Sequence, residues 1–323
     1  MTRLSVGVTA LLASLSLVGC GSDDDSTTTT TPDEPASAFQ LKFAALVDGK
    51  TVGCADELAG FGPAGAHKVG LNDLRFYVSN LVFKDAAGNP IDVTLDQDEF
   101  QLVSPDGTVA LVDLTGNTDG SCAAASVAYA EGTARTHAAI TGKTKVGKVA
   151  QVSFDVGVPQ LLMKKTIAAN TPEGAPSPLN EMYWNWNSGY RHFVLNFTVK
   201  DAAGKSGEGY VHLGSRDCAP TETGKALTDR DACTFVNTPK GSVTGFDLKK
   251  DTVGIDLRRV LKDVDFVSPI YDPMTFEVIG QGPGVECHSS PMQPDCPLVF
   301  SSFGLDMASG AVMAPAATLV KLP

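Results

Sequence analysis

The chain has 323 residues, a formal net charge of -12, 43 % hydrophobic residues and only 19 % charged ones. That apolar content is enough to bury a sizeable core. The acidic balance argues against nucleic acid or anionic lipid as a partner, because phosphate binding needs clustered Lys and Arg, and the longest basic runs here are the pairs Lys164-Lys165, Lys249-Lys250 and Arg258-Arg259.

At the N-terminus Arg3 supplies a positive charge, and residues 6–18 form an apolar run too short to span a bilayer as a stable helix. The run ends in Leu17-Val18-Gly19-Cys20. A small residue followed directly by Cys resembles the bacterial lipobox. Residues 1–20 are therefore expected to be a lipoprotein signal peptide with Cys20 lipidated, which places the protein in the cell envelope on a lipid anchor. Gly21 rather than Asp follows the Cys, which favours the outer membrane. Residues 21–37 are rich in Asp, Thr and Pro, bury nothing, and read as a disordered tether. Residues 38–323 are expected to form one domain.

Within that domain, residues 39–46 alternate, with Phe39, Leu41, Phe43 and Ala45 on one face and Gln40 and Lys42 on the other, as in a half-buried strand. Residues 47–50 read as a turn and 51–54 as its partner. Residues 60–70 form a glycine-rich loop holding His67. Residues 74–83 are strongly β, and Lys84–Pro90 (KDAAGNP) is a hairpin turn. Strands follow at 100–103 and 110–114, and a polar loop at 116–121 leads to Cys122. The Ala-rich residues 123–137 are compatible with a short helix. Residues 149–156 are a strand. Residues 160–178 read as irregular, since Pro172, Pro176 and Pro178 disfavour a long helix. Residues 181–197, EMYWNWNSGYRHFVLNF, carry both tryptophans of the chain, Trp184 and Trp186, two apart and so on one face of a strand. A second Asp-Ala-Ala-Gly turn (201–204) precedes a strand at 207–213. Residues 253–261 mix strand and helix signals, and 298–303 and 317–322 read as closing strands. Strands dominate, and the fold class is all-β: an antiparallel β-sandwich with long loops and disulfides.

Beyond Cys20 there are six cysteines, Cys54, Cys122, Cys218, Cys233, Cys287 and Cys296. An even number in an exported chain implies disulfides, and six allow 15 connectivities. Closure of short loops favours Cys218–Cys233 and Cys287–Cys296, leaving Cys54–Cys122. No CxxCH or CxxC occurs, so covalent haem, a thioredoxin-like centre and an all-cysteine zinc site lack support.

The five histidines are His67, His137, His192, His212 and His288. No HExxH, GxSxG, P-loop or Rossmann fingerprint is present, so no enzyme class has a motif behind it. Asp96, Asp98 and Glu99 lack the register of a calcium loop and read as a solvated hairpin end. The Trp segment has two readings: an aromatic anchor of a core strand, or an indole at a redox or metal site.

Several pieces in order, Phe39-Gln-Leu-Lys-Phe43 before Cys54, Asp73-Leu-Arg-Phe-Tyr-Val-Ser79, Phe154-Asp-Val-Gly-Val-Pro159, Ser177-Pro-Leu179, Met182-Tyr-Trp-Asn-Trp186 with Gly189-Tyr190, and His212-Leu-Gly-Ser215 before Cys218, resemble the MbnP-like proteins, also called metallo-mystery pair four-Cys motif proteins. The resemblance spans most of the mature chain. It implies an exported copper-binding protein that is not itself an enzyme. It also implies a di-haem cytochrome c peroxidase-like partner, which oxidises a Trp to kynurenine. Trp184 and Trp186 are the candidates for that conversion. His212 carries over as a metal ligand, with His67 and His192 as further candidates by position. One feature departs from the pattern: many relatives carry Asn-His after Gly-Val-Pro, whereas Gly157-Val158-Pro159 is followed here by Gln160-Leu-Leu-Met-Lys164, so a ligand is lost or supplied from elsewhere. The competing reading is a metal-free structural or ligand-binding envelope lipoprotein. Copper content separates the two.

Overall fold

The computed structural model describes residues 34–115, 122, 136–171, 173–185, 189–218, 233–272, 274–275 and 277–323. The expected signal peptide with Cys20, the expected tether up to residue 33, residues 116–121, residues 123–135 and Trp186 lie outside the described residues.

In chain order the strands are β1 (Ser37–Val47), β2 (Lys50–Thr51), β3 (Glu57–Phe61), β4 (His67–Lys84), β5 (Pro90–Ile91), β6 (Val93–Leu95), β7 (Gln101–Ser104), β8 (Gly107–Asp113), β9 (Ala139–Thr144) and β10 (Gln151–Val156). Helix α1 (Gln160–Ala169) follows, then β11 (Tyr183–Asn185), β12 (Gly189–Lys200), β13 (Ser206–Gly214), β14 (Lys240–Thr244), β15 (Thr252–Asp256) and helix α2 (Leu257–Val260). The chain closes with β16 (Val267–Tyr271), β17 (Val278–Pro283), β18 (Val285–Cys287), helix α3 (Cys296–Ser302) and β19 (Leu319–Leu322).

One sheet has the order β19-β15-β1-β9-β6, with β2 on β1; the larger one runs β14-β10-β4-β12-β13-β18, with β3, β5 and β8 also on β4. They pack face to face. Phe39 and Phe43 of β1 meet Phe83 and Phe76 of β4 and Phe154 of β10 edge-on, at ring separations of 5.1, 5.5 and 5.8 Å. The sandwich expected from alternation is thus present, but it is not purely antiparallel. The pairs β1–β15 and β13–β18 are parallel, and each joins strands far apart in sequence, as parallel pairing requires.

Strand β4 is buried on both faces over Leu74–Val78. Leu74, Phe76 and Val78 face the sandwich core. Tyr77 lies in a second cluster with Leu162 and Met163 of α1, Leu179, Met182, Tyr190 and Val194. This outer layer explains a departure from the sequence reading. Residues 160–169 are helical, not irregular, because the prolines that disfavour helix begin only at Pro172, beyond the helix end. Likewise 298–303 is not a strand. Pro297 sits in the first turn of α3, where its missing N–H costs nothing, and Val299, Phe300 and Phe303 turn inward at helical spacing. His67 opens β4 and does not lie in a loop. The two Asp-Ala-Ala-Gly turns fold alike: the carboxylates of Asp85 and Asp201 each accept from backbone N–H groups two and four residues on. No helix among the described residues is long and apolar enough to cross a membrane.

All three disulfides pair as loop closure favoured: Cys54–Cys122, Cys218–Cys233 and Cys287–Cys296.

Candidate functional site

The period-2 alternation of β13 builds the site. Val211 and Leu213 point into the sandwich core. Glu208, Tyr210, His212 and Gly214 therefore share the other face. His212 is almost fully buried there, and Asn196 of the neighbouring strand β12 holds it, with His212 Nε2 2.7 Å from Asn196 Oδ1. An amide oxygen only accepts, so Nε2 carries the proton and the lone pair of Nδ1 is bare.

That lone pair faces His288. Parallel pairing sets Glu286 beside Tyr210 and Cys287 beside Val211, so the next residue, His288, arrives next to His212. The two Nδ1 atoms are 2.9 Å apart, with His288 as the donor. The approach is braced from several sides. The disulfide to Cys296 anchors Cys287. The backbone N–H of His288 donates to Gln293 Oε1 at 2.6 Å, and Gln293 Nε2 donates to Glu286 Oε1 at 2.9 Å. The Ser289 hydroxyl donates to the His212 carbonyl and accepts from Gly214 N–H. His288 also stacks on Tyr210, ring centres 5.8 Å apart, and its Nε2 lies 4.0 Å from Glu286 Oε1.

Trp184 completes the cluster. Its ring stands edge-on to His212 at 6.4 Å. It lies across Gly214, where an added Cβ would sit 3.0 Å from Trp184 Cε3 and Cζ3, so the absence of a side chain at Gly214 seats the indole. The Arg191 guanidinium is 5.4 Å from the indole centre, a cation–π contact.

Both imidazoles stay neutral. Burial first, then His288, Arg191 and Arg75, hold His212 well below the usual histidine range. Burial lowers His288 too; Glu286 opposes this in part and Arg191 adds to it. Burial, reinforced by Glu208, pushes the Tyr210 phenol up to about 12.

The structure does not bring His67 and His192 to this pair. His67 stacks on Phe266 at 5.2 Å beneath Gly62, and its Nδ1 is buried with no hydrogen-bond partner among the described residues. His192 is fully buried under Gly157, its Nδ1 3.0 Å from the Asn237 carbonyl, and burial pushes it down to about 4. His137 donates to the Leu111 carbonyl and stacks on Phe100. After Gly157-Val158-Pro159, where the resemblance implied a histidine, this chain forms α1, and Met163 is buried with its sulfur against Ser215 Oγ. His288 was not singled out from sequence, because no local motif marks it. Its one signal is that it directly follows a disulfide cysteine.

Two neutral ring nitrogens aimed at each other, with the far nitrogen of one donating to Asn196 and that of the other near Glu286, fit an imidazole-seeking ion. The outer partners would fix the ring tautomers. Among the described residues no group of three or more His, Cys, Asp or Glu is placed to hold a metal, so the pair is the whole histidine contribution.

A family model for MbnP matches residues 36–275. The chain belongs to the MbnP family. It is similar in structure to MbnP from Methylosinus trichosporium, at 23 % identity and a TM-score of 0.64 over 89 % of this chain and 98 % of that one, which shows a shared fold. No curated protein sequence matches it. In this chain the Trp184 segment, β13 and the Cys287–Cys296 loop are the three pieces that meet at the histidine pair, the last of them beyond the residues that the family model matches.

Proposed function

We propose that this MbnP family member is an exported, lipid-anchored copper-binding protein and not itself an enzyme, with His212 and His288 as the protein ligands. The observation that carries this reading is the buried pair of neutral imidazoles with converging Nδ1 atoms. Copper suits imidazole nitrogen and tolerates few ligands. His288 then supplies the ligand that the segment after Gly157-Val158-Pro159 lacks.

Trp184 is the residue we propose for conversion to kynurenine by a di-haem peroxidase-like partner. It is half-buried rather than core, and it touches His212. No haem or flavin motif in the chain supplies an oxidant, so the oxidant comes from outside. Ring opening would leave an arylamine and a ketone beside the histidine pair, adding N and O donors. A role in copper acquisition or homeostasis follows from this reading.

The test is metal analysis of the mature protein with a competition titration, joined to peptide mass spectrometry of protein taken from its native envelope. About one copper per chain and kynurenine at position 184 are the expected results. A protein that takes up no copper would support the metal-free alternative. That alternative rests on one observation of its own: the Nδ1···Nδ1 hydrogen bond satisfies the pair without any ion.

A further inference from the structure

The outer face of β13 carries a line of groups able to move protons or electrons. Glu208, Tyr210 and His212 follow one another at period 2, and Trp184 covers the next position, Gly214. The rings are close: Trp184 to His212 6.4 Å, His212 to Tyr210 6.0 Å, and Tyr210 to His288 5.8 Å between centres. At the solvent end the Tyr210 hydroxyl donates to Glu208 Oε2, an exposed carboxylate.

That last contact separates Tyr210 from the buried tyrosines. Tyr77 donates to the carbonyls of Pro178 and Glu181, and Tyr190 donates to the carbonyl of Leu179. An amide carbonyl is not a base. A carboxylate within hydrogen-bond reach can take the proton. Removing an electron from a phenol makes its O–H strongly acidic, so an oxidisable tyrosine needs such an acceptor in place.

We propose that Tyr210 is a redox-active relay that passes single oxidising equivalents from a one-electron oxidant at the surface to Trp184, with Glu208 holding the proton. In the first step the oxidant takes one electron from Tyr210. The O–H bond breaks, the proton passes to the Glu208 carboxylate, and a neutral phenoxyl radical is left beside a carboxylic acid. In the second step an electron from the Trp184 indole reduces the phenoxyl and the proton returns from Glu208. Tyr210 and Glu208 are restored, Trp184 is a radical cation, and the net change is one electron from Trp184 to the oxidant. The relay rests on the reading that Trp184 is oxidised. The redox activity of Tyr210 does not.

The experiment uses metal-free mature protein and photogenerated tris(bipyridine)ruthenium(III) as the oxidant, read by freeze-quench electron paramagnetic resonance and by site-resolved mass spectrometry. In Trp184→Phe the tryptophan proposed to reduce the Tyr210 radical is gone, and a tyrosyl radical is expected to accumulate. Adding Tyr210→Phe, which keeps the ring and removes the hydroxyl, should abolish that signal, and adding Glu208→Gln should weaken it. In otherwise native protein Tyr210→Phe should slow the loss of Trp184, with an unchanged circular dichroism spectrum. A tyrosyl signal undiminished by Tyr210→Phe, or Trp184 lost at the native rate in that variant, overturns the proposal. If native protein forms the Tyr210 radical while Trp184 stays intact, the tyrosine is redox-active and the tryptophan conversion is what fails.

Discussion

His212 and His288 are 76 positions apart in the chain, yet their Nδ1 atoms stand 2.9 Å from each other, one donating and one accepting. Only one of the two nitrogens carries a proton, so a single tautomer shift in His288 frees both for a metal. The proton can be kept on the far nitrogen of His288, which lies 4.0 Å from the Glu286 carboxylate.

The first prediction concerns the groups behind the pair. His288→Ala should abolish copper binding, as should His212→Ala. Asn196→Ala removes only the acceptor that orients His212 and should weaken affinity by about 10–100-fold. His67→Ala and His192→Phe should leave it unchanged. Competition titration of the five proteins against a copper chelator decides the ranking, and equal losses in His67→Ala and His288→Ala would refute the assignment.

Gly214→Ala should disturb the tryptophan. The new Cβ would meet the Tyr190 carbonyl oxygen at 2.7 Å and the Trp184 ring at 3.0 Å. Overpacking of this kind costs about 1–3 kcal/mol. Chemical denaturation should show that loss, and the tryptophan emission should shift as the indole leaves its seat. An unshifted spectrum with native stability would mean that Trp184 does not lie on Gly214.

His192 should make the fold acid-sensitive. Its folded pKa is lowered to about 4 by burial, below the ordinary value of 6.5. A depressed histidine is neutral when folded and protonates on unfolding, so stability is full above about pH 6.5 and is lost as pH falls toward 4. At pH 5 the loss from this one group is about 2 kcal/mol relative to pH 7. Raised Asp295 works in the opposite direction, so the comparison is made between proteins. His192→Phe should show a pH 7 to pH 5 stability difference smaller by that amount in urea titrations; an unchanged difference counts against the burial argument.

The three disulfides should differ in weight. They close loops of 68, 15 and 9 residues for Cys54–Cys122, Cys218–Cys233 and Cys287–Cys296. Chain entropy gives about 4, 3 and 2.5 kcal/mol for their removal by paired Ser substitutions. The shortest should nonetheless have the largest effect on copper affinity, because His288 follows Cys287. Thermal unfolding read beside the copper titration tests both orders.

Lipidation at Cys20 is expected to hold the protein in the envelope. Labelled palmitate should enter the native protein and not Cys20→Ser. Label retained in the variant would rule out that anchor.

The chain by itself indicated most of the strands, the inward face of the first one and the favoured disulfide pairing, because period-2 alternation and the closure of short loops are local properties of residues near in sequence. Phe39, Leu41 and Phe43 could be placed in the core from their neighbours alone. Local propensity misjudged 160–169 and 298–303. The prolines of the first region lie beyond its helix, and the apolar run of the second fits a helix as well as a strand until α3 packs inward. Only the tertiary structure decided the site. Trp184 and His212 stand out in the sequence, but His288 is an unremarkable residue in its own segment, and nothing local says that the three meet. The parallel pairing of β18 on β13 brings the second imidazole to the first, and β11 folding back on β12 lays the indole across Gly214. The same burial that gathers these groups sends His192 into a separate part of the structure, because neighbouring strand positions take their partners from whatever the sheet packs against, and sequence distance carries no record of that.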